Sequence, residues 1–237
     1  MNRNKAQTLE PAYETGMNDM LAYGYIFMED ESAFTFSQLM YLPFKRLIDF
    51  YASFLGLILC LPIFIAVSIL IKLDSQGPVF FKQKRAGLNG RAFYIYKFRS
   101  MVTDAEKMKE SLFYLNENDG PFFKIKNDPR ITRVGKFIRK YSIDELPQLI
   151  NVFLGHMSLV GPRPALFSEI QQYSQAELQN LNLTPGLTCY WQISGRSDSS
   201  GSRTDLDAKY KNEFNLIIDL IILLKTPISV LKGKGAC

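Results

Sequence analysis

Asp144 and Glu145 stand side by side directly after a strongly basic stretch. From Lys124 to Lys140 there are seven basic residues, Lys124, Lys126, Arg130, Arg133, Lys136, Arg139 and Lys140, against a single acid, Asp128. The net charge of the whole chain is only +5, so its positive excess is concentrated here. Neighbouring carboxylates beside a dense run of cations suit phosphoryl chemistry. An ionised aspartate can attack phosphorus and form an acyl phosphate. A second carboxylate can help bind Mg2+, which takes oxygen ligands and keeps several waters. Helix-end amides and arginines can stabilise charge on the transferring group. The same residues also have a purely structural reading. Ser142 and Glu145 match the S-x-x-E pattern of a capping box, and acids are favoured at a helix N-terminus in any case.

The elements that would position this pair follow from local pattern. Ile131 to Lys140 and Ser142 to Leu154 read as two helices, with a third near 165–181 and another over 102–115. In the first, Arg133, Lys136 and Lys140 share one face, and Ile131, Val134 and Ile138 the other. The basic face fits a solvated surface, contact with anionic lipid heads or a phosphate cradle, since arginine forks match phosphate oxygens. No recognised nucleic-acid motif accompanies it, so a nucleic-acid partner is not expected. Val79 to Phe81 and Arg91 to Phe98 suggest short strands around the turn Gly87 to Gly90. Thr184-Pro185-Gly186 breaks the chain, and a polar loop, Ser194 to Arg203, follows.

Phe50 to Ile71 is 22 residues without a charge, enough to reach through a bilayer. Pro62 near its middle bends a helix. Lys45 and Arg46 precede the run, and Lys72, Lys82, Lys84 and Arg85 follow it. Lys/Arg-rich flanks prefer the cytoplasm. A simple span and a re-entrant hairpin are both open on these grounds. Leu216 to Leu231 is apolar but interrupted by Asp219, Lys225 and Pro227, and fits the membrane interface or the core. Residues 1–44 form an N-terminal extension, and no cleaved signal peptide is expected. Apolar residues make up 47% of the 237, which argues against wholesale disorder. Cys60, Cys189 and Cys237 lack zinc spacing and read as reduced thiols. The one histidine, His156, makes a His-rich metal site improbable, which leaves Mg2+ or Mn2+ at a carboxylate pair.

Several ordered segments resemble a known family. They are FKRLIDF (44–50), GPVFFKQKRAG (77–87), YKFRSM (96–101), NDPRITRVGKFIRKYSIDELPQLINV (127–152), MSLVGPRP (157–164), TPGLT (184–188), WQISGR (191–196) and KGKGA (232–236). Together they resemble the bacterial sugar transferase family, the monotopic phosphoglycosyl transferases. The resemblance implies that Asp144 is the nucleophile that attacks a UDP-sugar and releases UMP through a covalent aspartyl phospho-sugar. Glu145 is implied as its partner in the dyad, tied with Asp144 to Mg2+, and Arg139 as an active-site arginine. Lys97 and Arg99, Pro162, Arg163 and Pro164, and Gln192, Gly195 and Arg196 correspond to substrate-binding segments. Pro62 falls where the family breaks its re-entrant membrane helix.

The implied fold is α+β and mostly helical: a membrane helix-break-helix over 45–73 joined to a cytoplasmic transferase domain over 74–237, with short strands and interfacial helices. The implied acceptor is undecaprenyl phosphate. The implied place is the cytoplasmic face of a bacterial inner membrane, among its lipids, at the first membrane step of exopolysaccharide, capsule, O-antigen or glycoprotein glycan synthesis. A homodimer stays open. Leu61, His156, Cys189 and Lys211 depart from common family residues, none of them in the acidic pair. A membrane-anchored lipid-binding protein and an inactive scaffold are the competing classes. The intact pair with Arg139 speaks against the scaffold.

Overall fold

Thirty-nine residues, Phe36–Asp74, form one helix, α1, in the computed structural model of the chain, which describes residues 34–116, 125, 127–194 and 203–232. Among the described residues it is the one helix long and apolar enough to cross a membrane. A capping box of Thr35 and Gln38 starts it. It takes in Phe36 to Phe44, which the sequence pattern leaves in the extension. The break expected at Pro62 is not a gap in secondary structure, because the helix runs through both Pro43 and Pro62. A proline deletes only its own N–H bond, and intact apolar turns on either side carry the helix past it.

At about 1.5 Å per residue α1 is roughly 58 Å long, far more than one crossing needs. Both ends dock on the same folded body. Near the start, Lys45 Nζ donates to Asp219, which also accepts Tyr41 Oη at 2.8 Å and Tyr210 Oη at 2.7 Å. Arg46 donates to the carbonyls of Val152 and Phe153, and Asp49 accepts the N–H of Leu159. Near the end, Val67 and Ile71 pack with Phe98 and Ile138, and Asp74 accepts the N–H of Val134. Between these anchorages Leu55, Ile58, Leu59, Leu61 and Ile63 are exposed.

The body combines short strands with many helices, the expected α+β, mostly helical class. Strands β1 (Phe80–Ala86) and β2 (Ala92–Phe98) form an antiparallel hairpin with Phe81 opposite Lys97 and Arg85 opposite Phe93. After α2 (Ala105–Ser111), helix α3 (Arg133–Lys140) is N-capped by the Thr132 side chain. Its Arg133, Lys136 and Lys140 are exposed while Ile138 is fully buried, so the two expected faces are present. The expected helix from Ser142 to Leu154 is divided. Ile143–Glu145 is a 3-10 turn, and Pro147 precedes α4 (Gln148–Leu154). The capping box does not form: Ser142 sits in the left-handed region at φ 52 and makes no capping bond.

Strands β3 (Ser158–Val160) and β4 (Gly186–Thr188) pair in parallel. Between them the single helix expected over 165–181 is instead α5 (Phe167–Ile170), α6 (Gln175–Leu178) and a 3-10 turn, Gln179–Asn182. Helices α7 (Tyr190–Ile193), α8 (Arg203–Glu213) and α9 (Leu216–Lys232) complete the body. Helix α9 satisfies both readings of its sequence. Asp219 and Ile222 are buried, whereas Ile217, Leu224 and Leu231 form an exposed apolar side.

One side chain fixes α4 on the hairpin. Asn151, wholly buried, accepts the N–H of Tyr96 at 3.0 Å and donates to the carbonyl of Tyr94 at 2.7 Å. It thereby occupies the open edge of β2 as a neighbouring strand would. Asn151→Leu removes both partners and leaves the two backbone groups unpaired, at about 1–3 kcal/mol each if they stay dry. Chemical unfolding in detergent should report a loss of that order, accompanied by loss of activity.

Candidate active site

The carboxylate pair lies where four segments converge. The 3-10 turn brings Glu145 against β2, and Lys97 Nζ donates to Glu145 Oε1 at 2.8 Å. Both side chains are mostly shielded, so the pair is firmer than an open surface bridge. Asp144, next in line, is buried. A cleft opens beside Lys97 and Glu145, lined also by Arg85, Gln148, Arg163, Pro164 and Gln192.

The far wall of the cleft is the turn after β3. Gly161 and Gly186 allow β3 and β4 to meet closely, since a Cβ on Gly186 would lie 2.1 Å from the Gly161 nitrogen. Gly186 N–H donates to the Pro162 carbonyl at 2.7 Å, and Arg85 Nη1 donates to the Pro164 carbonyl at 3.1 Å. The turn is therefore tied on both sides, with Arg163 between and its guanidinium 5.5 Å from the Trp191 ring centre. Arg85 is also held by Gln83 Oε1. Burial, reinforced by repulsion from Arg163, pushes the Arg85 pKa down to about 10, with Glu169 the largest opposing influence. Arg85 remains a cation at neutral pH. Three cations, Arg85, Lys97 and Arg163, thus face the cleft with Glu145 as the opposing charge among its lining residues.

The residues singled out by sequence are distributed unevenly. Lys97, Glu145, Arg163, Pro164 and Gln192 line the cleft, with Pro162 buried just behind. Arg99 does not. It is buried under the end of α1, where its guanidinium donates to the carbonyls of Ser75 and Gln76. Alternation would put Arg99 on the same face as Lys97, but β2 ends at Phe98, and Arg99 lies beyond it, toward the end of α1. Arg139 lies in the last turn of α3, close enough to Asp128 to help hold that carboxyl below its usual range after the Arg130 bonds. Arg130 itself forks onto Asp128, so it is already neutralised within the basic run. Lys124, Lys126, Gly195, Arg196 and Cys237 fall outside the described residues. Cys189 is a free, buried thiol, and burial pushes it up to about 12.

Arg85 and Gln148 were missed as site residues. Both lie within the family-like segments, but only pairing of β1 with β2 and docking of α4 bring them to the cleft. Among the described residues no three His, Cys, Asp or Glu side chains could together hold a metal. Asp144 and Glu145 would fit a divalent ion that takes most of its shell from water and substrate oxygens, as Mg2+ does.

The fold and site are thus a long apolar helix docked on a small body that carries an acidic pair and a cationic cleft. The chain belongs to the bacterial sugar transferase family, whose model matches residues 40–233. It is 44% identical over 214 residues to the galactosyl transferase CpsE of Streptococcus agalactiae, covering 88% of this chain and 47% of that protein. It is 40% identical over 197 residues to the exopolysaccharide production protein ExoY of Rhizobium meliloti, covering 81% of this chain and 87% of that one. The undecaprenyl-phosphate galactose phosphotransferase of Salmonella typhimurium is 38% identical over 234 residues, 95% of this chain and 48% of its own. The chain therefore spans about half of the first and third relatives and most of the second.

The different settings of Lys97 and Arg99 predict different failures. Lys97→Met should leave folding intact and cut turnover, because Glu145 loses its partner in the cleft. Arg99→Ala should lower the unfolding free energy by about 1–3 kcal/mol through its stranded carbonyls, with substrate KM little changed in the protein that remains folded. Steady-state kinetics beside thermal unfolding of both variants checks this.

Proposed function

We propose that the protein transfers a sugar 1-phosphate from a UDP-sugar to undecaprenyl phosphate at the cytoplasmic face of the bacterial inner membrane. The observation that carries this reading is the Lys97–Glu145 pair beside Asp144, set in a cleft with Arg85 and Arg163. The similarity to the Salmonella undecaprenyl-phosphate galactose phosphotransferase and to ExoY, an exopolysaccharide production protein, supports it.

The reaction proposed is a double displacement. An Asp144 carboxylate oxygen attacks the β-phosphorus of the donor, the bond from that phosphorus to the bridging oxygen breaks, and UMP leaves with that oxygen. An oxygen of the lipid phosphate then attacks the same phosphorus. The aspartyl–phosphorus bond breaks, the carboxylate is regenerated, and the product is a lipid-diphosphate sugar. Arg85 and Arg163 are suited to hold the donor's diphosphate, because guanidinium forks match phosphate oxygens. Lys97 orients Glu145. Mg2+ held by Glu145 and Asp144 would neutralise phosphate charge when bound. For α1 we favour a re-entrant course with both ends on the cytoplasmic side. Its two anchorages on one body, Lys45 to Asp219 and Asp74 to the head of α3, support that course over a simple span.

With a UDP-sugar alone, UMP should appear in an amount comparable to enzyme, and quenched protein should carry a sugar-phosphate adduct by mass spectrometry. Asp144→Asn should abolish both. A direct transfer from donor to lipid would give no UMP before acceptor is added. Activity should vanish in EDTA and return with Mg2+ or Mn2+, and full activity after rigorous chelation would exclude the metal. Single cysteines at Phe36 and Lys82, which are both exposed, should be labelled only from the cytoplasmic side. Labelling of either from outside would establish a simple span.

A further inference from the structure

Helix α3 turns a charged and aromatic face outward where α1 ends. Its exposed residues are Arg133, Lys136, Phe137 and Lys140, and the helix contains no acid. At 3.6 residues per turn the four fall within an arc of roughly 100°. Among the described residues none of these three cations forms an ion pair. Lys140 Nζ instead stands 5.4 Å from the centre of the Tyr141 ring, and that ring meets Phe137 edge-on at 5.1 Å. The opposite side of α3 is fixed on the body. Ile138 is fully buried, and a Cβ on Gly135 would lie 1.9 Å from the Ser100 carbonyl oxygen. The helix therefore cannot roll to hide Phe137, which is 56% exposed.

The level of α3 along α1 is set as well. Ile138 packs with Val67 and Ile71, in the last turns of the uncharged run, and Asp74 accepts the N–H of Val134. Around the same end of α1, Lys72, Leu73 and Phe80 are exposed. Phe80 stacks at 5.3 Å on Phe98, which packs with Ile138. Cations and exposed aromatic rings gathered at one level are the composition of a layer between water and acyl chains. None of the four exposed residues of α3 lines the cleft.

We propose that this face of α3 is a docking surface for the headgroups of anionic phospholipids, with Phe137 entering the headgroup layer among Arg133, Lys136 and Lys140. This rests on the reading of α1 as embedded in a bilayer. The charge complements the occupant, because lysines and arginines beside a membrane segment are drawn to anionic lipid surfaces. Their long stems can lie along apolar neighbours while the charged ends reach the headgroups. The turn carrying Asp144 and Glu145 follows α3 directly. A bilayer surface gripped here therefore also sets the height of the acidic pair relative to lipid phosphates.

The test titrates the full-length protein in detergent with phosphatidylglycerol or with phosphatidylcholine and counts bound lipid by native mass spectrometry. Wild type should bind phosphatidylglycerol more tightly. Arg133→Gln, Lys136→Gln and Lys140→Gln should each raise its apparent Kd, by up to roughly fivefold for one cation near an anionic surface, and the combined variant should lose the preference. The Kd for phosphatidylcholine should stay put. Added salt should weaken the wild-type preference, since exposed charges are screened. Lys107→Gln removes an exposed cation of α2 that is paired with Asp104, and should leave the preference unchanged. The KM for undecaprenyl phosphate, measured in detergent free of phospholipid, should be the same in wild type and the combined variant.

Unchanged phosphatidylglycerol affinity in the combined variant would overturn the proposal. So would an equal loss in Lys107→Gln, which would make net charge the cause. A raised acceptor KM without phospholipid would also overturn it, by assigning the face to the acceptor. Equal binding of both lipids by wild type would remove the proposal alone, whereas binding of neither would remove the membrane reading of α1 together with it.

Discussion

The amide of Asn151 is the interaction on which the candidate site most depends. A two-stranded hairpin leaves an edge of β2 with backbone groups that need partners. Asn151 supplies both a donor and an acceptor from one side chain, so α4 is held at a fixed distance and register on that edge. The turn carrying Asp144 and Glu145 lies immediately before α4 and inherits its placement. The Lys97–Glu145 contact at 2.8 Å follows from this docking. Apolar packing of Phe93, Ile95, Val152 and Met157 supports the same junction but could not set its register.

The membrane helix is tied to this body by polar groups, which is unusual for so apolar an element. Lys45 and Asp219 are both buried, and two tyrosine hydroxyls complete the shell around the carboxylate. Such a cluster is stable only when every member is satisfied, because a lone buried charge is far more costly than a missing apolar contact. Arg99 has a similar task at the other end, where it bonds the carbonyls just past α1. The β1–β2 hairpin and the long apolar helix α1 are thereby held in one relation. The proposed transfer from a water-soluble donor to a lipid phosphate would require such a relation.

The electrostatics of the cleft are graded in depth. Lys97 and Glu145 neutralise one another in the middle, while Arg85 and Arg163 leave a positive excess toward the far wall. Behind them Glu169, Arg203 and Asp207 form a further layer. An anionic ligand would meet cations already held by a carbonyl and an aromatic ring, so less ordering remains to be done on binding.

By itself the sequence determined the long apolar helix, the amphipathic basic helix, the strand hairpin and the place of the acidic pair beside the basic helix. These features are local: an uncharged run, a 3.6-residue period, alternating β-formers around a turn, and adjacent carboxylates. Ordered family-like segments singled out Lys97, Arg163, Pro164 and Gln192, which line the cleft. The tertiary structure decided the rest. Ser142 took a left-handed conformation in place of a cap, and Pro147 divided a helix that periodicity had joined. Helix α1 runs on through Pro62. Arg99 went to the carbonyls after the membrane helix, although it lies two residues from Lys97. Arg85 and Gln148 reached the cleft from distant segments. A side chain's partners depend on which face its element turns inward and what docks there, and no local pattern encodes that choice for a charged residue.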